Sequence, residues 1–113
     1  MIGSSLTGAA ASPQSLAGEM AERAEDAASL LKSLAHGGRL MILCHLAGGE
    51  KSVTELEDRL QSRQAAVSQQ LARLRLEGLV TARREGKQIF YSLNDPRAAQ
   101  VIAVIYDIFC AAT

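Results

Sequence analysis

The sequence predicts a mostly helical domain that carries one β-hairpin. Apolar residues recur at spacings of three and four along several segments before residue 78, and again at the carboxyl end. Between residues 79 and 93 the period changes, because β-forming residues flank Glu85-Gly86 in the stretch LVTARREGKQIFYSL. A short helix, a tight turn, a longer helix and a basic hairpin are the parts of a winged helix-turn-helix. The predicted order is therefore α-α-α-α-β-β-α.

The first predicted helix begins at Pro13, because Ser12 before it is a good cap and proline fits the first helical position. It ends near Gly37-Gly38. Its apolar residues form a narrow, alanine-rich stripe, which suits packing against another helix. The stripe consists of Met20, Ala24, Ala27, Leu31 and Leu34.

Three shorter helices follow, each with end signals. The second covers about residues 39–47 and ends at Gly48-Gly49. The third opens with the capping box SVTE at residues 52–55 and runs to Leu60. After a turn in QSRQ, Ser62 is predicted to cap a fourth helix that ends at Gly78. The predicted inward residues are Leu40, Leu43 and Ala47 on the second helix, Val53, Leu56 and Leu60 on the third, and Val67, Leu71 and Leu74 on the fourth.

The hairpin is predicted to have strands near residues 79–84 and 88–93. The segment Asn94-Asp95-Pro96 then caps a last helix, with proline again at its start. The predicted apolar face of that helix consists of Val101, Val104, Ile105, Ile108 and Phe109.

Length and composition indicate one small domain. The chain has 113 residues, of which 48% are hydrophobic. The first 14 residues are rich in Gly, Ser and Ala and are expected to form a flexible tail, which leaves residues 15–113 for the folded domain. A domain of this size gains buried surface by forming a homodimer. No apolar run is long enough to cross a membrane and the N-terminus lacks a signal peptide, so a cytoplasmic protein without membrane partners is expected.

The net charge is zero, but it is unevenly distributed. Residues 59–88 contain seven basic and two acidic residues, an excess of five positive charges. On the fourth helix, the face opposite the apolar residues is small, polar and weakly basic, which suits entry into the major groove of DNA. The candidate DNA contacts on and before this helix are Ser62, Arg63, Gln64, Ser68, Gln69 and Arg73, and glutamine amides can pair with adenine.

The hairpin carries a second set of candidate contacts. Arg83, Arg84 and Lys87 cluster at its tip with Gln88 beside them, and only Glu85 is nearby to neutralise them. Contact with the DNA backbone or minor groove is the natural interpretation, while a charged edge strand that resists aggregation is the alternative.

With these elements the chain resembles the ArsR family of winged helix-turn-helix repressors. The motifs that carry the resemblance are LAHGGRLMIL, SVTELEDRL, AAVSQQLARLRLEGLV and RREGKQIFYSL, and the match spans about residues 30–113. The resemblance implies a homodimer, joined through its first and last helices, that binds double-stranded operator DNA with an inverted repeat. Family members often have proline where this chain has Gly37 or Gly38, and His or Arg where it has Gln69 and Gln70. These departures bear on the operator sequence.

The family's metal motifs are absent. Arsenite- and cadmium-sensing members share a Cys-x-Cys pair at the third helix. The third helix of this chain has no cysteine. Zinc-sensing members carry His and Asp ligands on the last helix, where this chain has no histidine and no ligand pair at helical spacing. His36 and His45 are isolated, so they are expected to be exposed or capping residues, and neither a metal nor a cofactor is expected. A site made of both cysteines and a histidine stays open as the alternative.

The two cysteines remain. Cys44 shares a face with Leu40, Leu43 and Ala47, so a small core side chain is one interpretation. Cys110 lies opposite the predicted apolar face of the last helix. A cysteine on the second helix and another near the end of the last resemble the dithiol branch of the family. That resemblance implies that Cys44 and Cys110 sense persulfides or polysulfides, form an intrachain polysulfide link and release DNA, so that genes of sulfide metabolism are expressed.

Three different interpretations compete with this one. The pair could respond to peroxides or disulfides, or the protein could respond to a metal. A winged helix that binds protein instead of DNA is the third. An enzyme is not expected, since no serine, histidine or carboxylate set has catalytic spacing.

Overall fold

The structure is a computed structural model that describes the backbone of residues 13–111. Six helices and three strands follow one another in the described part of the chain. They are α1 (Pro13–Ala21), α2 (Ala24–Leu34), α3 (Gly37–Ala47), β1 (Lys51–Ser52), α4 (Val53–Leu60), α5 (Gln64–Leu76), β2 (Val80–Glu85), β3 (Gln88–Leu93) and α6 (Pro96–Phe109). The mostly α fold with a hairpin and the helix-turn-helix order are confirmed.

The chain separates by its internal contacts into residues 1–31 and residues 32–113. In the first unit the single predicted helix is instead two, because the backbone N–H of Arg23 bonds to the carbonyl of Met20 and α1 ends at Ala21. Met20 and Leu31 are exposed. The predicted cap Ser12 and nearly all of the predicted tail, residues 1–14, lie outside the described residues.

The core of the second unit lies between α3, α4, α5, the sheet and α6. On α5 the three predicted inward residues are all buried, and so is the central one of α4; these residues are Val67, Leu71, Leu74 and Leu56. The capping box of α4 is confirmed, since Ser52 Oγ accepts from the backbone N–H of Glu55 and Glu55 Oε1 accepts from that of Ser52.

The prediction for α3 was partly wrong. Leu43 is buried, but Leu40 is half-buried and Ala47 is exposed, whereas Ile42 and Leu46 are buried in their place. The reason is that α3 is apolar around most of its circumference. Its Ile42 side packs toward α4, α5 and β3, while its Leu40 side faces α6.

The apolar face predicted for α6 also differs from the buried one. Ala98 and Ile102 are buried, Val101 and Ile105 are half-buried, and three large apolar residues of the predicted face are exposed. These are Val104, Ile108 and Phe109. The cap of α6 is confirmed, because Asp95 Oδ1 accepts from the backbone N–H of Arg97 and Pro96 is the first helical residue.

The hairpin is confirmed and belongs to a slightly larger sheet. Strand β2 pairs antiparallel with β3, from Val80 opposite Leu93 to Glu85 opposite Gln88. The two-residue strand β1 pairs with the other edge of β3, so the order is β1-β3-β2. Sequence periodicity could not indicate β1, because two residues are too few to show alternation.

Candidate functional site

The helix-turn-helix presents α5 as an exposed helix anchored by its buried face. The turn before α5 contains Gln61, whose φ of 56° is left-handed. Arg63 rather than Ser62 occupies the N-cap position and makes no side-chain cap, so the prediction of a Ser62 cap was wrong. Instead, Ser62 Oγ donates to the carbonyl of Leu60.

Most predicted reading residues of this helix-turn-helix are accessible. Ser62, Arg63, Ser68, Gln69 and Arg73 are all exposed, whereas the side chain of Gln64 lies outside the described part of the structure. Small residues, Ala65 and Ala72, separate them on the same outer face. The face therefore combines hydrogen-bonding groups with room for close approach to base edges.

Two polar links join α5 to the segment before α3. Arg73 Nε donates to Glu77 Oε2 at 2.9 Å, and Ser33 Oγ donates to the other oxygen of the same carboxylate. These two bonds hold the pKa of Glu77 below its ordinary value, with Ser33 the larger cause. The side chain of Arg73 is still 60% exposed, so its guanidinium can reach a ligand.

Arg39 forms the second link, which the sequence did not indicate. Its guanidinium donates to the carbonyls of Ser33 and Lys32 at the end of α2 and to Gln70 Oε1 on α5, at 2.8, 3.3 and 3.4 Å. The sequence showed only that Arg39 belongs to the motif LAHGGRLMIL, which does not indicate its hydrogen-bond partners.

The hairpin tip is less uniformly basic than predicted. Arg83 Nε and Nη2 donate to the two carboxylate oxygens of Glu50, both at 2.8 Å, and the guanidinium lies 4.7 Å from the ring centroid of Phe90. The prediction that only Glu85 lies near these cations was therefore wrong, because Glu50 comes from far away in sequence. Arg84, Lys87 and Gln88 are exposed around Gly86, whose φ of 64° makes the turn.

Both cysteines are exposed, so the interpretation of Cys44 as a core residue was wrong. The exposure of Cys110 agrees with its predicted position away from the core face. Cys44 is exposed because the side of α3 that it occupies lines an open groove between α3 and α6.

The two cysteines line one groove between α3 and α6, with a volume of about 630 Å³. We refer to it as the thiol groove. Its other lining residues are Leu40, Met41, Ala47, Gly48, Ala99, Ile102, Ala103, Ile105, Tyr106 and Asp107. Partial burial in these apolar walls raises the pKa of the Cys44 thiol, and the nearby charge of Cys110 raises it further. The two thiols are thus near enough to interact electrostatically.

His36 has a structural role as the N-cap of α3. Its Nδ1 accepts from the backbone N–H groups of Gly38 and Arg39, at 3.1 and 3.4 Å, as the capping interpretation predicted. His45 is half-buried in the last turn of α3. Within residues 13–111, no three His, Cys, Asp or Glu side chains lie close enough together to hold a metal ion. No helix among these residues has the length and apolar character needed to cross a membrane.

A helix-turn-helix with an exposed second helix, followed by a hairpin with exposed cations, defines a winged-helix DNA-binding regulator. Comparison with known proteins specifies the family. Residues 36–82 match the family described as bacterial regulatory protein, arsR family. The biofilm growth-associated repressor of Agrobacterium fabrum is 55% identical over 81% of this chain and 79% of its own length. The chain therefore belongs to the ArsR family of bacterial transcriptional regulators.

Solved structures agree with this assignment. The transcriptional repressor BigR from Xylella fastidiosa is 48% identical, with a TM-score of 0.80 over 84% of this chain and 97% of that one. Reduced HlyU from Vibrio cholerae is 41% identical, with a TM-score of 0.78 over 82% of this chain and 98% of that one. The protein is thus a winged-helix transcriptional regulator of the same type as BigR and HlyU, and not an enzyme.

Proposed function

We propose that this regulator is a dimeric repressor whose Cys44 and Cys110 sense reactive sulfur species. A persulfide or polysulfide links the two thiols through a bridge of extra sulfur atoms, and the linked protein releases its operator. Relatives that are named as repressors support the proposal that this regulator represses transcription. The proposal assigns the protein to the cytoplasm, where operator DNA is found.

The observation that carries the proposal is that both thiols are exposed on one groove. Two exposed cysteines on separate helices have no packing reason to face the same space. Both side chains line the same space between α3 and α6, which is the arrangement that a bridge of sulfur atoms between them requires. A groove between the helices also gives a small sulfur donor access to both sulfurs.

The chemistry requires only thiols and a sulfane-sulfur donor. Each cysteine thiolate attacks the terminal sulfur of a hydropersulfide, the donor's S–S bond breaks, and the donor leaves as a thiol. One protein persulfide then attacks the carbon-bound sulfur of the other and expels sulfide. Two thiols and two hydropersulfides thus yield a trisulfide bridge, two donor thiols and hydrogen sulfide. The cysteines are oxidised, and one transferred sulfur is reduced.

The link would reach DNA through the packing of α3. Helix α3 contacts α4 and α5, which form the helix-turn-helix, whereas Cys110 lies at the end of α6. Joining α3 to α6 would therefore change the position of the reading helices relative to the last helix. Two such helices in a dimer must meet major grooves about 34 Å apart, so a small change of spacing reduces affinity.

We assign the dimer interface to the first and last helices. The exposed residues Val104, Ile108 and Phe109 give α6 an apolar surface that water-exposed monomers rarely keep. In the same proposal, Ser62, Arg63, Gln64, Ser68, Gln69 and Arg73 contact the major groove, and Arg84, Lys87 and Gln88 contact the backbone or minor groove. Arg83 is paired with Glu50 and holds the hairpin in position.

The test is mass spectrometry and DNA binding after separate treatment with hydrogen peroxide, glutathione disulfide and glutathione persulfide. We expect a mass gain of whole sulfur atoms that joins Cys44 to Cys110 only with persulfide, together with loss of operator binding. Cys44→Ser and Cys110→Ser proteins should keep their DNA under the same treatment. A direct disulfide formed equally well by peroxide would instead identify a general oxidant sensor.

Two further measurements distinguish the proposal from a metal-responsive regulator and from a protein-binding module. Elemental analysis of the purified protein would reveal a stoichiometric metal if the protein were a metal-responsive regulator. A winged helix that binds only protein would show no salt-dependent affinity for an inverted repeat, whereas phosphate contacts make DNA affinity fall steeply with salt.

A further inference from the structure

The walls of the thiol groove differ from those of a site for a charged sulfur carrier. Apart from the two thiols, its lining consists of aliphatic residues, glycine, Tyr106 and Asp107. No lysine, arginine or histidine is among these lining residues. Among the described residues that line the groove, the only fixed charge is therefore negative.

The volume of the groove, about 630 Å³, is that of a small-molecule site, since such pockets measure roughly 300–1,000 Å³. Transfer of hydrocarbon groups from water to walls such as Leu40, Ile102 and Ile105 is favourable. Peroxide or hydrogen sulfide would use little of this surface. A molecule with short hydrocarbon groups on either side of a sulfur chain would use most of it.

Asp107, in the last turn of α6, and Cys110, the residue that caps this helix, line the same groove. A donor whose sulfur approaches Cys110 through the groove therefore meets this carboxylate. Each glutathionyl group carries two carboxylates and one ammonium, so glutathione-based donors bring a net negative charge toward the exposed carboxylate of Asp107. Like charges repel more strongly near a protein surface than in bulk water.

We propose that the thiol groove selects uncharged organic trisulfides with short hydrocarbon groups over glutathione-based donors, and that Asp107 determines this selectivity. The inference rests on the sensing role proposed above for Cys44 and Cys110. It adds the class of donor and a residue that discriminates between donors without reacting.

The reaction with such a donor balances without any other reagent. The Cys44 thiolate attacks the central sulfur of R–S–S–S–R, one S–S bond breaks, and R–S⁻ leaves and takes a proton. The Cys110 thiolate then attacks that same central sulfur and displaces the second R–S⁻. Two cysteines and one trisulfide give a trisulfide-linked protein and two molecules of R–SH. The cysteines are oxidised and the donor is reduced.

The test compares dipropyl trisulfide with glutathione trisulfide on the intact, reduced protein. For each donor, the rate of linking Cys44 to Cys110 is divided by the rate at which the same donor reacts with N-acetylcysteine amide, a small uncharged thiol. This normalisation removes the intrinsic difference in reactivity between the two donors. We expect the normalised rate to favour the dipropyl compound by about tenfold, as repulsion between two like charges near a protein surface would give.

Variants test the two parts of the selectivity. Asp107→Asn should speed the glutathione reaction severalfold and leave the dipropyl reaction unchanged, and Asp107→Lys should reverse the preference. Asp58→Asn, an equivalent change on the exposed surface of α4, serves as the matched control and should alter neither rate. Ala103→Leu fills the groove and should slow the dipropyl reaction more than the glutathione reaction.

The outcomes are distinct. Equal normalised rates, or a preference that Asp107→Asn leaves intact, would overturn the selectivity while leaving the sensing role in place. If neither donor links the thiols, the proposed function itself fails. If both react only after dilution dissociates the protein, a second copy fills the groove and the donor site is refuted.

Discussion

Arg83 and Glu50 form a two-pronged ion pair that joins strand β2 to the residue before β1. Both hydrogen bonds are 2.8 Å long, and the guanidinium also lies over the ring of Phe90 on β3. The hydrogen bonds from Arg83 hold the pKa of Glu50 below its ordinary value, so this carboxylate stays ionised at a lower pH than an unpaired glutamate. Arg83 therefore joins the hairpin to the segment before β1, whereas Arg84 and Lys87 are left exposed near the turn.

This division predicts different salt responses for the hairpin cations. Arg84→Ala and Lys87→Ala should lower operator affinity and reduce the slope of log affinity against log salt by about 0.9 for each phosphate that is no longer neutralised. Arg83→Ala should reduce the slope less, because Glu50 already neutralises its charge. Fluorescence anisotropy with operator DNA across a salt series measures all three. A slope change for Arg83→Ala as large as that for Arg84→Ala would contradict the assignment.

Gln69 provides a prediction about sequence reading. It is exposed on the outer face of α5, where its amide can pair with an adenine edge. Gln69→Ala should cost about 1–3 kcal/mol in affinity for the operator while leaving affinity for unrelated DNA nearly unchanged. Gln100→Ala makes the same chemical change on an exposed part of α6 and serves as the control. Equal reductions on operator and unrelated DNA would mean that Gln69 contacts only the backbone.

Two leucines of α5 allow a matched test of its anchoring. Leu71 is completely buried and Leu76 is 86% exposed, so the same substitution should have very different consequences. Leu71→Ala should lower the free energy of unfolding by about 2–5 kcal/mol, because it removes buried methyl groups and leaves a cavity. Leu76→Ala should change it little. Urea denaturation followed by circular dichroism measures both, and similar reductions would show that the exposed leucine is covered in solution.

The sequence predicted the helix-turn-helix well because its signals are local. The capping box at Ser52 and Glu55 and the spacing of Val67, Leu71 and Leu74 need no information from distant residues. The buried face of α3 was harder to predict. Apolar residues lie on most sides of this helix, so their spacing does not single out one face. The buried face of α6 was missed for a similar reason. The exposed residues Val104, Ile108 and Phe109 are as apolar as the buried ones, so hydrophobicity alone did not distinguish the two faces.

The interactions that shape the candidate site are long-range. Glu50 and Arg83 are 33 residues apart, and Arg39 and Gln70 are 31 apart, so no local pattern connects them. The position of Cys110 away from the core followed from helical phase alone. That Cys44 faces the same groove depended on how α3 is rotated against α6, which only the packed structure specifies.

The pKa of Cys44 makes sensing dependent on pH in a specific way. Desolvation is the larger cause of its elevation and the charge of Cys110 the smaller, so Cys110→Ser should lower the pKa only part of the way to the ordinary value of a thiol. At neutral pH the protonated form predominates, and the rate of alkylation by iodoacetamide should rise about tenfold per pH unit up to that pKa. Mass spectrometry of the Cys44 peptide across a pH series measures the rate, and urea-unfolded protein gives the reference. An apparent pKa at or below that of the unfolded chain would contradict this. Because the raised pKa leaves few thiolates at neutral pH, sulfur donors should modify Cys44 faster as pH rises and its thiolate fraction increases.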